Sequence, residues 1–124
     1  MAKVLIVDDE EMICDLLKRS LTIEGFETDT AGNGLLGLQK CAEGKFDLVV
    51  SDILMPEMDG ITMMEKVKDA HPALPIILMT GYAKQYTARK ATEAGASDFL
   101  TKPFRNAEMV TAVRKALKTT QDAR

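Results

Sequence analysis

Short aliphatic runs alternate with longer amphipathic segments along this sequence. Three of the runs, at 3–7, 46–51 and 75–79, are apolar and β-branched without polar alternation. That pattern is typical of strands covered on both faces of a sheet. Two weaker candidates complete the set, one at 26–30 with the mixed polarity of an edge strand and one at 97–101.

Segments with helical periodicity lie between these runs. Apolar residues recur at three- and four-residue spacing around Leu17, Leu38, Val67 and Val113, and a further helix is predicted over 84–94. Strands separated by helices of this length pair in parallel through right-handed crossovers. The sequence therefore predicts an α/β fold, a doubly wound five-stranded parallel sheet with helices on both faces.

The length of 124 residues suits one domain that folds without disulfides or a structural metal. No Pro-, Ser- or Gly-rich linker divides the chain, and apolar periodicity ends at Leu117. We therefore expect one domain over residues 1–118 and a tail or linker stub over 119–124. This pattern suits a stand-alone domain as well as the front portion of a longer protein.

Charge and hydropathy exclude several function classes. The net charge of -3 leaves no cationic field for nucleic acid or anionic lipid. No apolar stretch approaches the roughly 20 residues of a membrane span, and acids follow the first apolar run where a signal peptide would continue. We expect a cytoplasmic protein, with Cys14 and Cys41 as reduced, buried thiols because they lack metal-site or redox spacing.

Polar side chains follow four of the predicted strands. They are Asp8 and Asp9 after the first strand, Asp52 after the third, Thr80 after the fourth and Lys102 after the fifth. Ligands of an open parallel sheet gather beyond the carboxyl ends of its strands, so we expect these groups to meet there. Three clustered carboxylates should raise at least one pKa, and oxygen ligands of this kind suit Mg²⁺.

Each of these residues has an ordinary structural explanation when it is taken alone. Asp8 and Asp9 could open the first helix, and Asp52 could be a turn residue. Thr80 could cap the fourth helix, and Lys102 could be a surface lysine. Five such explanations would have to coincide at one edge of the sheet, which favours a functional site.

Four motifs stand in order at the predicted strand ends. They are VLIVDDE at 4–10, DILMPEMDG at 52–60, MTG at 79–81, and AGA with FLTKPF within 94–104. In these motifs the sequence resembles the receiver domains of two-component response regulators, over nearly the whole chain. The resemblance implies a flavodoxin-like (βα)5 fold with strand order 2-1-3-4-5, and a signalling domain rather than an enzyme.

The resemblance also implies the roles of the acidic residues. Asp52 would accept a phosphoryl group from the phosphohistidine of a sensor histidine kinase or phosphotransfer protein. Asp9 would bind Mg²⁺ directly and Asp8 through water, while Asp52 and the backbone carbonyl of Leu54 would complete the protein ligands. In-line phosphoryl transfer needs positioning and charge neutralisation, which such a site supplies.

The remaining motif residues would recognise the phosphoryl group and report on it. Thr80 and Lys102 would contact its oxygens, and a cis bond between Lys102 and Pro103 would aim the ammonium group into the site. Thr80 and Phe99 would act as the switch. The output surface would be the fourth helix, fifth strand and fifth helix, acting on a downstream target, an output domain or a phosphorylation-dependent homodimer.

Two further positions tune phosphoryl lifetime in this family, here Leu54 and Tyr82. Both side chains are apolar or bulky and poorly suited to hold a water molecule, so a long-lived phosphoryl group is expected. For His71, before the fourth strand and on the opposite edge from the acids, we expect no functional role.

Three other functions remain as alternatives. One is a receiver-like domain that binds proteins without being phosphorylated. Such a domain would not need the complete set of site residues present here, which comprises Asp8, Asp9, Asp52, Thr80 and Lys102. A phosphatase of the haloacid dehalogenase type needs a second Asp as general acid where Leu54 stands. A flavodoxin-type FMN carrier needs a phosphate loop rich in donors, whereas the acids at 8–11 would repel the phosphate.

Overall fold

Strands and helices alternate strictly in the computed structural model, which describes residues 1–83 and 87–122, with side chains to residue 119. The strands in this part of the chain are β1 (Lys3–Val7), β2 (Glu27–Ala31), β3 (Leu48–Asp52), β4 (Ile76–Thr80) and β5 (Asp98–Thr101). The helices are α1 (Glu11–Ile23), α2 (Gly34–Glu43), α3 (Gly60–Ala70), α4 (Ala88–Glu93) and α5 (Asn106–Asp122).

All five strands pair in parallel in the order β2-β1-β3-β4-β5, which confirms the predicted fold and strand order. The register places Val7 of β1 beside Ser51 of β3, and Asp52 beside Met79 of β4. Asp8 and Asp52 follow Val7 and Ser51 in the chain, and they therefore lie at the carboxyl ends of two adjacent central strands.

Side chains of the central strands β1, β3 and β4 alternate between two apolar layers. Val4 and Ile6 point into a layer closed by residues of α1 and α5, while Leu5 and Val7 point into a layer closed by α2, α3 and α4. Because both faces are covered, the central strands read as continuous apolar runs. Cys14 and Cys41 are free thiols, one buried in each layer, as predicted.

The interior glycine of α2 has a packing reason. A Cβ at Gly37 would lie 3.0 Å from Cγ2 of Val7 and 2.9 Å from Sδ of Met63. Gly in a helix interior costs about 1 kcal/mol relative to Ala. Here it allows α2 to approach the sheet and α3 more closely than a larger residue would.

Two helix boundaries differ from the sequence prediction. Helix α4 begins at Ala88 instead of residue 84, because Thr87 is extended and its side chain accepts a hydrogen bond from the Lys90 amide at 3.2 Å. Residues 84–86 of the predicted helix lie outside the described residues. Helix α5 continues to Asp122, so the expected tail over 119–124 is helical up to that residue, although apolar periodicity ends at Leu117. The domain boundary after residue 118 stays a prediction.

Strand β3 also begins later than predicted and includes Asp52. The ladder to β4 continues past it, because the Ile53 amide donates to the Met79 carbonyl at 2.9 Å. Among residues 1–83 and 87–122, none of the helices combines the length and apolar character needed to cross a bilayer.

Candidate functional site

Asp52 is held at the floor of a cleft at the carboxyl edge of the sheet. It is the last residue of β3 and is 5% exposed. The Ile53 amide is bonded to β4, and the Ile53 carbonyl accepts from the Gly60 amide at 2.8 Å. The chain on both sides of Asp52 is therefore fixed, and the position of its carboxylate is set by the sheet.

The loop between β3 and α3 is compact and folded back on the strand end. Glu57 has a positive φ of 68°, and the Met58 amide donates across it to the Pro56 carbonyl at 2.8 Å. Asp59 then caps α3 by accepting from the Thr62 amide at 2.8 Å. A Cβ at Gly60 would overlap the backbone carbonyl oxygen of Asp52, which explains the glycine at the end of the DILMPEMDG motif.

Three carboxylates converge in this cleft. One oxygen each of Asp8, Glu10 and Asp52 lie within 4.8 Å of one another, with Asp8 and Asp52 buried and Glu10 exposed. Asp8 is fixed further because its Oδ1 accepts from the Glu10 amide at 2.9 Å. Asp9 is exposed and lines the same cleft outside this group of three.

Lys102 lies among these carboxylates, as its place after β5 predicted. Its Nζ is 2.9 Å from Oδ2 of Asp8, 3.5 Å from Oδ1 of Asp52 and 3.7 Å from Oε1 of Glu10. The Lys102 amide donates to the Thr80 carbonyl at 2.8 Å, which ties the residue to β4. The peptide bond between Lys102 and Pro103 is cis, as the resemblance implied.

The cluster changes the protonation of its members. Burial raises the pKa of Asp52 to about 6, which the charge of Lys102 opposes and that of Asp8 reinforces. Burial likewise raises the pKa of Asp8, although its hydrogen bonds with Glu10 and Lys102 oppose this. Burial alone would lower the pKa of Lys102, but the hydrogen bond to Asp8 and the charge of Asp52 raise it overall.

Leu54 and Tyr82 line the cleft, and Thr80 lies at the end of the neighbouring strand β4. Thr80 is fully buried at the end of β4, and its Oγ1 accepts from the Tyr82 amide at 3.1 Å. The alternative that Thr80 caps α4 is wrong, because Thr87 does so. Leu54 and the 59% exposed Tyr82 line the cleft, whose volume is about 410 Å³.

Phe99 and His71 lie away from the carboxylates. Phe99 is half-buried in β5 and packs against the layer beneath α2, α3 and α4. His71 is the exposed C-cap of α3, at the opposite edge of the sheet from the cleft, where we predicted no functional role.

The sequence analysis counted Glu10 among the acids at 8–11 without assigning it a role of its own. Glu10 is the N-cap of α1, and its side chain turns toward Lys102 instead of capping the helix. The run of acids from Asp8 to Glu11 was the available signal. Without the conformation of the β1–α1 loop, that signal could not show which of the acids face the cleft.

A comparison with protein-family profiles matches residues 4–114 to the response regulator receiver domain. The chain belongs to this receiver family. Among curated relatives, the regulatory protein AtoC of Escherichia coli strain K12 is 40% identical over 116 residues, or 94% of this chain and 25% of AtoC. The transcriptional regulatory protein CusR of the same strain is 37% identical over 116 residues, or 94% of this chain and 51% of CusR. The chain thus spans about a quarter to a half of the length of these relatives.

Solved structures agree with this assignment. A response regulator receiver domain from Clostridium thermocellum superposes with a TM-score of 0.94 at 29% identity, covering 100% of both chains. The response regulator TrrA from Thermotoga maritima, solved in complex with Mg²⁺-BeF, gives a TM-score of 0.86 at 36% identity and covers 94% of this chain and 99% of its own. The chain is therefore a receiver domain of the kind found in two-component signalling proteins, with an acidic cluster compatible with Mg²⁺.

Proposed function

We propose that this receiver accepts a phosphoryl group on Asp52 from the phosphohistidine of a sensor histidine kinase or phosphotransfer protein, in a Mg²⁺-dependent reaction. The observation that carries the proposal is the position of the Asp52 carboxylate. It lies at the floor of the cleft, 3.5 Å from Lys102 and beside two further carboxylates. A nucleophile, a countercharge and metal-binding oxygens are thus assembled in one place.

The transfer requires an ionised carboxylate. With a pKa of about 6, Asp52 is mostly ionised at pH 7.5. One of its oxygens forms a bond to phosphorus while the bond from phosphorus to the histidine nitrogen breaks, and the electron pair leaves with that nitrogen. Lys102, whose Nζ already lies beside both buried aspartates, would pair with an oxygen of the transferred group.

The donor set also fits Mg²⁺, which prefers oxygen ligands. Carboxylate oxygens of Asp8, Glu10 and Asp52 lie within 4.8 Å of one another. The single positive charge of Lys102 does not balance the negative charge of these three groups. Asp9, Asp52 and the Leu54 carbonyl would hold the ion directly and Asp8 through water, with Glu10 close enough to add charge. When bound, the ion would neutralise charge on the phosphoryl oxygens.

We place the response to phosphorylation at Thr80 and Phe99. The Thr80 hydroxyl accepts from the Tyr82 amide, and its own proton would be donated to a phosphoryl oxygen. Movement of Thr80 would open space for Phe99, which lies on the neighbouring strand β5. The output surface would then be α4, β5 and α5, acting on a downstream protein, an output domain or a second copy of the chain. We also propose that the protein is cytoplasmic, as expected from its sequence.

Phosphorylation tests this function directly. The protein incubated with Mg²⁺ and a small phosphodonor should gain the mass of one phosphoryl group, and Asp52→Asn should abolish the gain. Asp69→Asn, an exposed aspartate on α3, is the matched control and should be phosphorylated normally. A wild-type protein that never gains the mass would instead support the alternative of a receiver that binds proteins without phosphorylation.

Lifetime of the phosphoryl group is a second expectation. Leu54 and Tyr82 line the cleft without a carboxylate or amide to orient an attacking water, so hydrolysis should be slow. We expect Leu54→Asn, which adds an amide, to shorten the half-life severalfold, whereas Leu54→Met should not. The rate at which the added mass is lost measures the half-life of the phosphoryl group in the wild type and in both variants. A wild-type half-life of seconds would contradict the expectation.

A further inference from the structure

Glu10 is the most exposed member of the ion-paired group that Lys102 forms with Asp8, Asp52 and Glu10. Exposure of the side chains rises from 0% for Asp8 through 8% for Asp52 and 15% for Lys102 to 63% for Glu10. The Glu10 carboxylate nevertheless stays within 3.7 Å of the Lys102 ammonium group. Glu10 is therefore a charge at the mouth of the cleft that is directed toward the reacting group.

In-line transfer determines which part of a phosphodonor reaches the mouth. Asp52 attacks from the floor, so the leaving atom must lie on the opposite side of phosphorus, toward solvent. The leaving group therefore passes the exposed acids of the cleft, Asp9 and Glu10. Asp9 is a direct ligand of Mg²⁺ in the proposed ligand set, whereas Glu10, 3.7 Å from Lys102, is the exposed acid outside that set.

Phosphodonors differ in the charge of their leaving group. When phosphoramidate or a protonated phosphoimidazole transfers its phosphoryl group, the bond from phosphorus to nitrogen breaks and the electron pair stays on a nitrogen that begins the step with positive charge. When acetyl phosphate transfers its group, the bond from phosphorus to oxygen breaks and the pair leaves on a carboxylate. Relative to the free donor, a fixed negative charge beside the leaving atom stabilises a transition state in which the nitrogen keeps part of its positive charge, and destabilises one in which the leaving oxygen gains negative charge.

We propose that Glu10 is a specificity-determining residue, which favours phosphodonors with a cationic nitrogen leaving group over acyl phosphates. This inference rests on the proposed function of Asp52 and adds a preference for one class of donor. It would bias the receiver toward phosphohistidine presented by a protein partner and away from small acyl phosphates. Glu10 need not contact the phosphoryl group itself to do so.

The test compares two donors on the same protein. Second-order rate constants for phosphorylation by phosphoramidate and by acetyl phosphate are measured by mass at pH 7.0 and saturating Mg²⁺. Glu10→Gln should raise the constant for acetyl phosphate and lower that for phosphoramidate, which changes their ratio by about fivefold for an exposed charge close to the reacting atoms. Saturating Mg²⁺ removes any effect of Glu10 on metal affinity.

Two variants make the result specific to the position of the charge. Glu11→Gln changes the net charge equally but lies outside the group of converging carboxylates, so its donor ratio should equal that of the wild type. Glu10→Asp keeps the charge and should keep most of the preference. Added salt should reduce the difference between wild type and Glu10→Gln, since the charge is exposed.

Two results would overturn the inference while the proposed function stands. One is an equal change for both donors, which would show that Glu10 acts by positioning Lys102. The other is that Glu10→Gln changes neither rate constant. A wild-type protein that neither donor phosphorylates would overturn the proposed function and this inference together.

Discussion

Gly60→Ala should destabilise the protein by about 3 kcal/mol or more, a large part of the stability of a domain of this size. The added Cβ would overlap the carbonyl oxygen of Asp52 and come within 3.0 Å of the Ile53 Cα. Both obstacles are backbone atoms of the strand end and not flexible side chains. Relief would require α3 to move away from the sheet, which exposes buried residues such as Met63 and Met64.

Urea denaturation of the two proteins measures this effect as a lower midpoint with an unchanged slope. Gly32→Ala is the matched control, because a Cβ at Gly32 meets no atom within 4 Å, and its midpoint should stay close to the wild-type value. If Gly60→Ala unfolds at the wild-type midpoint, the close packing of α3 on the end of β3 is wrong. Folded Gly60→Ala should also be phosphorylated more slowly, since its clash lies at the backbone of Asp52.

Asp52→Asn should have the opposite effect and stabilise the metal-free protein at pH 7.5 by about 3 kcal/mol. The carboxylate has a pKa of about 6 in the folded protein against 3.8 for the free side chain. Folding above pH 6 therefore confines an ionised group where ionisation is unfavourable, and the neutral amide of Asn removes that cost. Lys102 keeps its contact with Asp8 at 2.9 Å in the variant.

The sign of the pH dependence follows from the raised pKa. As pH falls from about 6 toward 3.8, the folded wild type takes up a proton before the unfolded chain does, so its penalty disappears. The advantage of Asp52→Asn should be complete above pH 6 and nearly absent at pH 4. The difference in unfolding free energy between wild type and variant at each pH isolates the titration of Asp52, because the other titratable groups are the same in both proteins.

Urea midpoints at pH 7.5 and pH 4 without divalent cations measure this difference. Asp69→Asn, which removes an exposed charge, should change neither midpoint. Mg²⁺ should stabilise the wild type more than Asp52→Asn if Asp52 is a ligand. A variant less stable than the wild type at pH 7.5 would mean that the pairing of Asp52 with Lys102 outweighs its burial.

The placement of the main site residues followed from local patterns, whereas the strand order 2-1-3-4-5 came from the resemblance to receiver domains. Apolar runs ending in Asp8, Asp52 and Thr80 identified the strands and also the residues at their carboxyl ends, because parallel strands bring those ends together. The boundaries of α4 could not be predicted in this way. Its only buried side chain among the described residues is Ala91, so no apolar stripe marks where the helix begins.

The direction of the acidic side chains was the other feature that could not be predicted from the sequence. Asp9 and Glu10 are adjacent acids, and it was the resemblance to receiver domains that assigned Asp9 to the metal. In the structure Glu10 turns toward Lys102 and joins the group of converging carboxylates, while Asp9 lines the cleft outside it. That choice depends on the loop between β1 and α1, where the hydrogen bond from the Glu10 amide to Asp8 sets the backbone.

The weak attachment of α4 has a consequence for the resting protein. Ala91 is the single buried side chain of Ala88–Glu93, and displacing one methyl group from an apolar layer costs only about 1 kcal/mol. A second position of α4 at that cost would be occupied by more than about a tenth of the molecules at equilibrium. Phosphorylation would then need only to shift the balance between two arrangements that both exist beforehand, and the output would be graded by their populations.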